Sequence, residues 1–363
     1  MLRKLLKYIK KKPIALLLLA VPIAIFAEYG DWNPVLVFMF AALGVIPLAG
    51  FIGEATESLA HYTGPRLGGL LNATLGNAAE LIITIVAIRE GLLDLVKASI
   101  TGSILGNLLL VLGTAMFLGG LRHGVQKFDR RKASHDAVLL VLSVLILMVP
   151  SLFGHNIEMG PEGSIKVEVL SLGVAAIMMI IYISGLIFSL KMPASPLNLE
   201  VIEIGSNRSA WSLKTALVVL AVSTVGVAYL SELFVGAVEP VVETLGISEF
   251  FIGIIFIPII GNVAEHLVAV QVALRNKMEL SVEIAIASSL KIALFVAPLL
   301  VFISLFIGNP LTLIFHPFEL LALIAGVLIA ALVSADGESN WLEGAELLAI
   351  YIILGLAFFL LPA

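Results

Sequence analysis

The chain has 363 residues, 60% of them hydrophobic and 13% charged, with a formal net charge of −5 and no cysteine. A soluble domain needs about a quarter charged residues to cover its surface. This composition, with a mean hydropathy of +1.11, therefore excludes a water-soluble globule and predicts a polytopic protein whose solvent is the lipid bilayer. The missing cysteines exclude disulfides, thiolate metal sites and cysteine nucleophiles, and the charge balance gives no reason to expect nucleic acid.

Runs long enough to cross a hydrocarbon core of ~30 Å, at about 20 residues each, lie near 14–29, 34–53, 68–90, 95–119, 137–153, 167–190, 214–236, 249–274, 281–307, 317–335 and 343–361. The expected fold class is an all-α polytopic membrane protein with about 11 transmembrane helices. The first run follows a basic stretch from Arg3 to Lys12, as the core of a signal peptide would. Phe26-Ala27-Glu28 lacks the small residues of a cleavage site, so a retained helix is expected. With the N-terminus inside, seventeen Lys and Arg side chains fall on the cytoplasmic side and three (Arg89, Lys97, Lys166) outside, with Lys291 inside a segment. The positive-inside rule then predicts a cytoplasmic N-terminus and an external C-terminus. Acidic residues of the outer loops (Glu158, Glu162, Glu239, Glu243) are read either as ordinary solvated loops or as a cation-concentrating mouth.

A six-residue word occurs twice. Leu75-Gly76-Asn77-Ala78-Ala79-Glu80 returns as Ile260-Gly261-Asn262-Val263-Ala264-Glu265, 185 residues later. Each copy puts a carboxylate inside an apolar helix, where an unpaired charge costs at least about 2.5 kcal/mol. The segments after the first divide into five and five, and the word lies in the second helix of each five. Five is odd, so the second copy runs antiparallel to the first, the inverted-repeat plan of secondary transporters with a site at the midplane. The expected divisions are 1–33, a basic N-terminus and first helix; 34–191, the first five-helix repeat; 192–213, a cytoplasmic connector; and 214–363, the second repeat. Glu54 precedes Asn77 by the same interval as Glu239 precedes Asn262. The helix after each word carries small hydroxyls, Ser99, Thr101 and Ser103 in one half and Ser288 and Ser289 in the other. A lone serine of this kind commonly does no more than allow helices to approach.

Asn and Glu three apart share a helix face. Brought together, Asn77, Glu80, Asn262 and Glu265 offer two carboxylates and two amide oxygens, hard ligands suited to calcium and next to manganese. His266 points about 100° away from Glu265 around the helix, so a structural zinc site is not expected. Two carboxylates in one low-dielectric cavity cannot both stay ionised uncompensated. Two protons neutralise them and so does one divalent cation, which couples the two ions. Gly76, Gly261 and Pro258 are expected to bend or unwind their helices and free backbone carbonyls toward a cavity. Gly44 and Pro47 are expected to bend the second segment.

These words resemble the paired signature of the calcium (cation)/proton exchangers within the calcium/cation antiporter group. The likeness extends through Gly68-Gly-Leu-Leu-Asn-Ala-Thr-Leu-Gly-Asn-Ala-Ala-Glu, Gly102-Ser-Ile-Leu-Gly-Asn-Leu-Leu-Leu-Val-Leu-Gly and Ser288-Ser-Leu-Lys-Ile-Ala-Leu-Phe-Val-Ala-Pro. The sodium/calcium branch favours Thr-Ser and Pro-Glu around its acidic residues, which this chain lacks. The resemblance implies eleven helices, a cytoplasmic N-terminus and alternating access, with Glu80 and Glu265 as shared cation and proton ligands and no cofactor beyond the transported calcium and protons. It places Asn77, Asn262, Ser99, Ser103, Asn107 and Ser288 along the ion path and Glu54, Glu57 and Glu239 near the helices lining the access routes. Some relatives assemble as trimers, which admits a homotrimer here. Two departures stand out. Lys291 occupies a path position where the family usually has glutamine, and the connector offers only Glu200 and Glu203 in place of an acidic helix.

Other classes fit less well. A channel usually builds its pore from copies around an axis rather than from an inverted pair. Intramembrane aspartyl proteolysis needs buried aspartates, yet Asp31, Asp94, Asp129, Asp136 and Asp336 fall at segment ends. No His-Glu-x-x-His pattern is present, and His266 with Ser288 is only a nominal serine-protease pair. The expectation is a non-enzymatic proton-coupled calcium exporter, with a sodium-driven exchanger as the alternative. The short N-terminal tail suits a prokaryotic inner membrane.

Overall fold

A computed structural model describes residues 13–158, 163–191 and 211–361. The basic cluster Arg3 to Lys12, Glu162, and most of the connector with Arg208, Glu200 and Glu203 lie outside the described residues. The described chain is almost entirely helical, as a lipid solvent demands: backbone polar groups must be satisfied within each segment.

α1 spans Ile14–Tyr29 and is followed by α2, Pro34–Leu75. Asn33 opens α2 by accepting the Val35 N–H at 2.8 Å. Within α2, Gly64 (φ 79°, ψ 170°) breaks the helix. Glycine alone adopts such angles readily, and Pro65 starts the next helical stretch without needing its own N–H. α3 is Ala78–Arg89 and α4 is Leu93–His123, interrupted by a π-helical turn over Gly106–Val111. α5 is Arg130–Glu158, with Pro150 inside it, and α6 is Gly163–Lys191. The second half contains α7 Leu213–Gly236, α8 Val238–Leu245, α9 Glu249–Ala273, α10 Met278–Ile307, α11 Pro317–Val333 and α12 Trp341–Phe359. α9 and α10 carry π turns over Ile252–Phe256 and Ile292–Val296.

Every predicted segment has a helical counterpart, but their lengths differ from the expectation. Among the described residues, eight helices are long and apolar enough to cross a membrane, while Ile14–Tyr29 and Pro317–Val333 are shorter. The second segment runs on to Gly64, which puts Glu54 and Glu57 on the helix. The third, expected as one helix over 68–90, is divided at Gly76-Asn77, where two poor helix formers adjoin.

α4 lies at the centre: 72% of its apolar 18-residue stretch is buried, against 22% for that of α6 and 17% for that of α12, whose outer faces are apolar. α2 packs on α7, α4 on α9 and α12, and α6 on α5 and α10. Small residues permit the closest crossings. A Cβ on Gly102 of α4 would meet the Ile254 carbonyl oxygen and Pro258 Cγ of α9, and one on Gly253 would lie 2.7 Å from the Ala98 Cβ. Two short strands, β1 Gln126–Lys127 and β2 Glu338–Ser339, pair antiparallel and tie the α4–α5 turn to the α11–α12 turn.

Gly102→Val should therefore force α4 and α9 apart, costing about 1–3 kcal/mol by overpacking and lowering the melting temperature in detergent. Gly185→Ala, where nothing lies within 4 Å, should leave that temperature unchanged or slightly raised.

Candidate functional site

The break at Gly76-Asn77 shapes the first half of the site. Asn77 leaves the helical region (φ −101°, ψ 20°), and its carbonyl accepts the Leu81 N–H at 2.9 Å, so a new helix starts there. Glu80 thereby falls in the first turn of α3, where exposed N–H groups favour a carboxylate. Its side chain is wholly buried, at 0% exposure. Three donors reach it: the Ser103 hydroxyl, and the amides of Asn77 and Asn262, each at 3.4 Å from Oε2. Among the described residues no Lys, Arg or His forms an ion pair with it, and Glu265 acts on it through space as a like charge.

The second copy is built differently. Gly261 and Asn262 remain inside continuous helix, and the backbone departure comes earlier, at the π turn before Pro258. The expected unwinding is therefore found at Gly76 and not at Gly261. Glu265 lies mid-helix with its side chain 24% exposed. Ser288 Oγ donates to its Oε2 at 2.7 Å, and Lys291 Nζ stands 3.8 Å from its Oε1. Lys291, which the sequence places inside a segment, thus pairs with a motif glutamate.

The two words meet reciprocally. A Cβ on Gly76 would lie 3.3 Å from Oε1 of Glu265, and a Cβ on Gly261 would lie 3.3 Å from the Cβ of Glu80. Each glycine is thus the wall against which the other word's glutamate packs. Ser103 serves Glu80 and Ser288 serves Glu265 across the same interval of 23 residues.

The Oδ1 atoms of Asn77 and Asn262 are buried without a protein partner, as are Ser99 Oγ and Asn107 Nδ2. Buried acceptors are normally satisfied, and two amide oxygens left open beside two carboxylates form a hard-oxygen set for a cation. Among the described residues no group of three or more His, Cys, Asp or Glu converges. The set is therefore poor in charge, which favours reversible binding over tight retention.

The remaining sequence candidates lie elsewhere. Glu54 is half-buried and Glu57 exposed on α2, while Glu239 is exposed in the first turn of α8. One buried carboxylate was not anticipated: Glu319 accepts the Thr101 hydroxyl at 3.2 Å and the His316 N–H at 2.6 Å. Its sequence signal is the capping pattern His316-Pro317-Phe318-Glu319, which reads as a helix start.

Fold and site together define an integral membrane protein with a buried oxygen site shared between helices from both parts of the chain. The chain belongs to the family described as sodium/calcium exchanger protein, whose profile matches residues 33–191 and 215–360. It is 45% identical over 360 residues to a Ca(2+)/H(+) antiporter of Aphanothece halophytica, covering 95% of this chain and 96% of that protein. It is 43% identical over 345 residues to the Ca(2+)/H(+) antiporter ChaA of Bacillus subtilis (strain 168), with 94% and 97% covered. The solved structure of native YfkE superposes with a TM-score of 0.83 at 41% identity, over 96% of this chain and 100% of that one.

Glu80 is sealed and Glu265 is partly open, so loss of a donor should cost more at the first. Ser103→Ala should destabilise the detergent-solubilised protein by about 1–3 kcal/mol, the cost of an unsatisfied buried group, and Ser288→Ala by less. Paired melting curves read the difference, and an equal loss at both sites would contradict the asymmetry.

Proposed function

We propose that the protein exchanges calcium for protons across the membrane by alternating access. Glu80 and Glu265 bind cation and protons in competition, and Asn77 and Asn262 complete the cation's oxygen shell. One observation carries this reading: the two repeated words converge, glycine against glutamate, with both asparagine oxygens buried and unpartnered. Likeness to proteins named Ca(2+)/H(+) antiporters supports the choice of ions.

The coupling follows from electrostatics. Two unit charges ~4 Å apart at an effective dielectric of ~20 repel by roughly 4 kcal/mol. Two protons remove that repulsion, as does one divalent cation, so the site crosses between its two openings loaded with one or the other. An empty, doubly charged site meets the highest barrier. The cycle uses only the transported ions, and Ser103 and Ser288 hold each carboxylate in both loaded forms, since a hydroxyl can donate or accept.

The scaffold proposed for this cycle has eleven crossings, with α1 standing outside two inverted repeats, 34–191 and 214–363. Several observations support the inversion. A shift of 185 residues relates Gly76 to Gly261 and Ser103 to Ser288, and brings the π turn after Ser103 onto that after Ser288. Packing is reciprocal as well: α4 on α9 answers α10 on α3, α4 on α11 answers α10 on α5, and α4 on α12 answers α10 on α6. The lysine and arginine bias supports a cytoplasmic N-terminus and an external C-terminus, and likeness to the antiporter of Bacillus subtilis supports residence in a prokaryotic cell membrane. Ser99 and Asn107 line the path, and Glu54, Glu57 and Glu239 lie on the access routes.

Calcium-45 uptake into everted vesicles under an imposed pH gradient tests this. Uptake should collapse with a protonophore and need no sodium, and the half-saturating calcium concentration should fall as pH rises and proton competition fades. Glu80→Gln and Glu265→Gln should each abolish exchange in protein that still inserts. Uptake that survives the protonophore but follows a sodium gradient would assign the sodium-driven reading, and near-normal flux in either variant would refute the two-carboxylate site.

A further inference from the structure

The two halves of the site differ in one charge. At the place in the first half that corresponds to Lys291, 185 residues earlier, stands Gly106, and both residues mark the entry to a π turn. Glu80 therefore has hydrogen-bond donors and no cation, whereas Glu265 has a hydroxyl on one oxygen and an ammonium facing the other. Ser288 and Lys291, three residues apart on α10, share the face that meets Glu265. The 3.8 Å separation of Nζ from Oε1 is ion-pair distance but exceeds the 2.7–2.9 Å typical of a charge-assisted hydrogen bond. The ammonium balances the carboxylate without being locked to it, and the lysine side chain keeps 19% of its surface exposed.

From this geometry we infer that Lys291 is a tethered competitor of the transported cation. Its ammonium stands against Glu265 when the site is empty and must be displaced before a divalent ion can use Oε1. A calcium ion then meets one free carboxylate, Glu80, and one already balanced. Its affinity is lowered, and the returning ammonium helps expel it. A monovalent ion, with half the charge, displaces the ammonium less effectively, so the same residue biases the site toward divalent ions. The inference rests on the calcium/proton reading and assigns Lys291 a specificity-determining role within it.

The test is equilibrium binding of calcium-45 to the purified full-length protein, alongside vesicle exchange. Lys291→Gln should lower the half-saturating calcium concentration about tenfold or more, the scale expected for removing one nearby unit charge in a partly shielded site. Lys291→Arg should stay near wild type. The chain has no native cysteine, so Lys291→Cys gives a single reactive thiol whose charge can be set after folding. Treatment with 2-aminoethyl methanethiosulfonate restores an ammonium and should weaken calcium binding again. Methyl methanethiosulfonate, which adds no charge, should not.

Equal calcium affinity with and without charge at position 291 would overturn the inference and leave the calcium/proton reading standing. Wild-type protein that binds calcium but does not exchange it for protons would overturn that reading, while the labelled pair would still measure the competition. If Lys291→Gln does not fold, the comparison of the two labelled forms decides alone, because both come from one folded preparation.

Discussion

Taking a carboxylate out of water costs several kcal/mol even after the surroundings relax, and Glu80 is removed from it completely. The helices around it are arranged to meet that cost without a fixed positive charge. The chain breaks at Gly76-Asn77 so that the carboxylate sits in a helix's first turn. α4 crosses α9 at glycine distance, which brings Ser103 and Asn262 within reach of the same side chain. The central position of α4 follows from the same need, since a donor-bearing helix must be enclosed if its hydroxyls are to serve the site rather than water. Compensation by dipoles and hydroxyls, with amide oxygens left open, keeps the site incomplete until an ion arrives. A salt bridge at Glu80 would have completed it permanently.

Much of this was legible in the residues. The repeated word named the two carboxylates and two asparagines, the helix after each word held the serines that include their hydroxyl partners, and the apolar runs located every helix but the short α8. Each of these signals is local or periodic. What escaped depended on contacts between residues far apart. The pairing of Lys291 with Glu265 requires knowing which face of α10 meets α9. The bond between Thr101 and Glu319 joins residues 218 positions apart, and the β1–β2 pairing joins two turns with no strand pattern of their own. The π turns were also unseen, because hydropathy reports how much of a segment avoids water and says nothing about which carbonyl each N–H selects.

The helix break shows the same limit from the other side. Gly76 and Gly261 occupy equivalent places in equivalent words, and the sequence treats them alike. Gly76 lies at an interruption, whereas Gly261 lies in continuous helix whose irregularity has moved to Ile252–Phe256. Pro258 accounts for part of the difference. It lacks an N–H, so the helix around the second word adjusts its hydrogen bonding one turn before the site, while the corresponding position in the first half is Ala73. Two copies of one motif thus reach similar side-chain placements through different backbones, and their glutamates end in different environments, one sealed and one partly open.

The reciprocal glycine contacts bear on how the two copies can change with time. A side chain added at position 76 presses on Glu265, and one added at position 261 presses on Glu80. Drift in one word is therefore felt as damage in the other, although the two are separated by half the chain. Each word supplies the surface on which the other packs. Gly106 and Lys291 lie outside that mutual contact, and there the two parts of the chain differ by one charge.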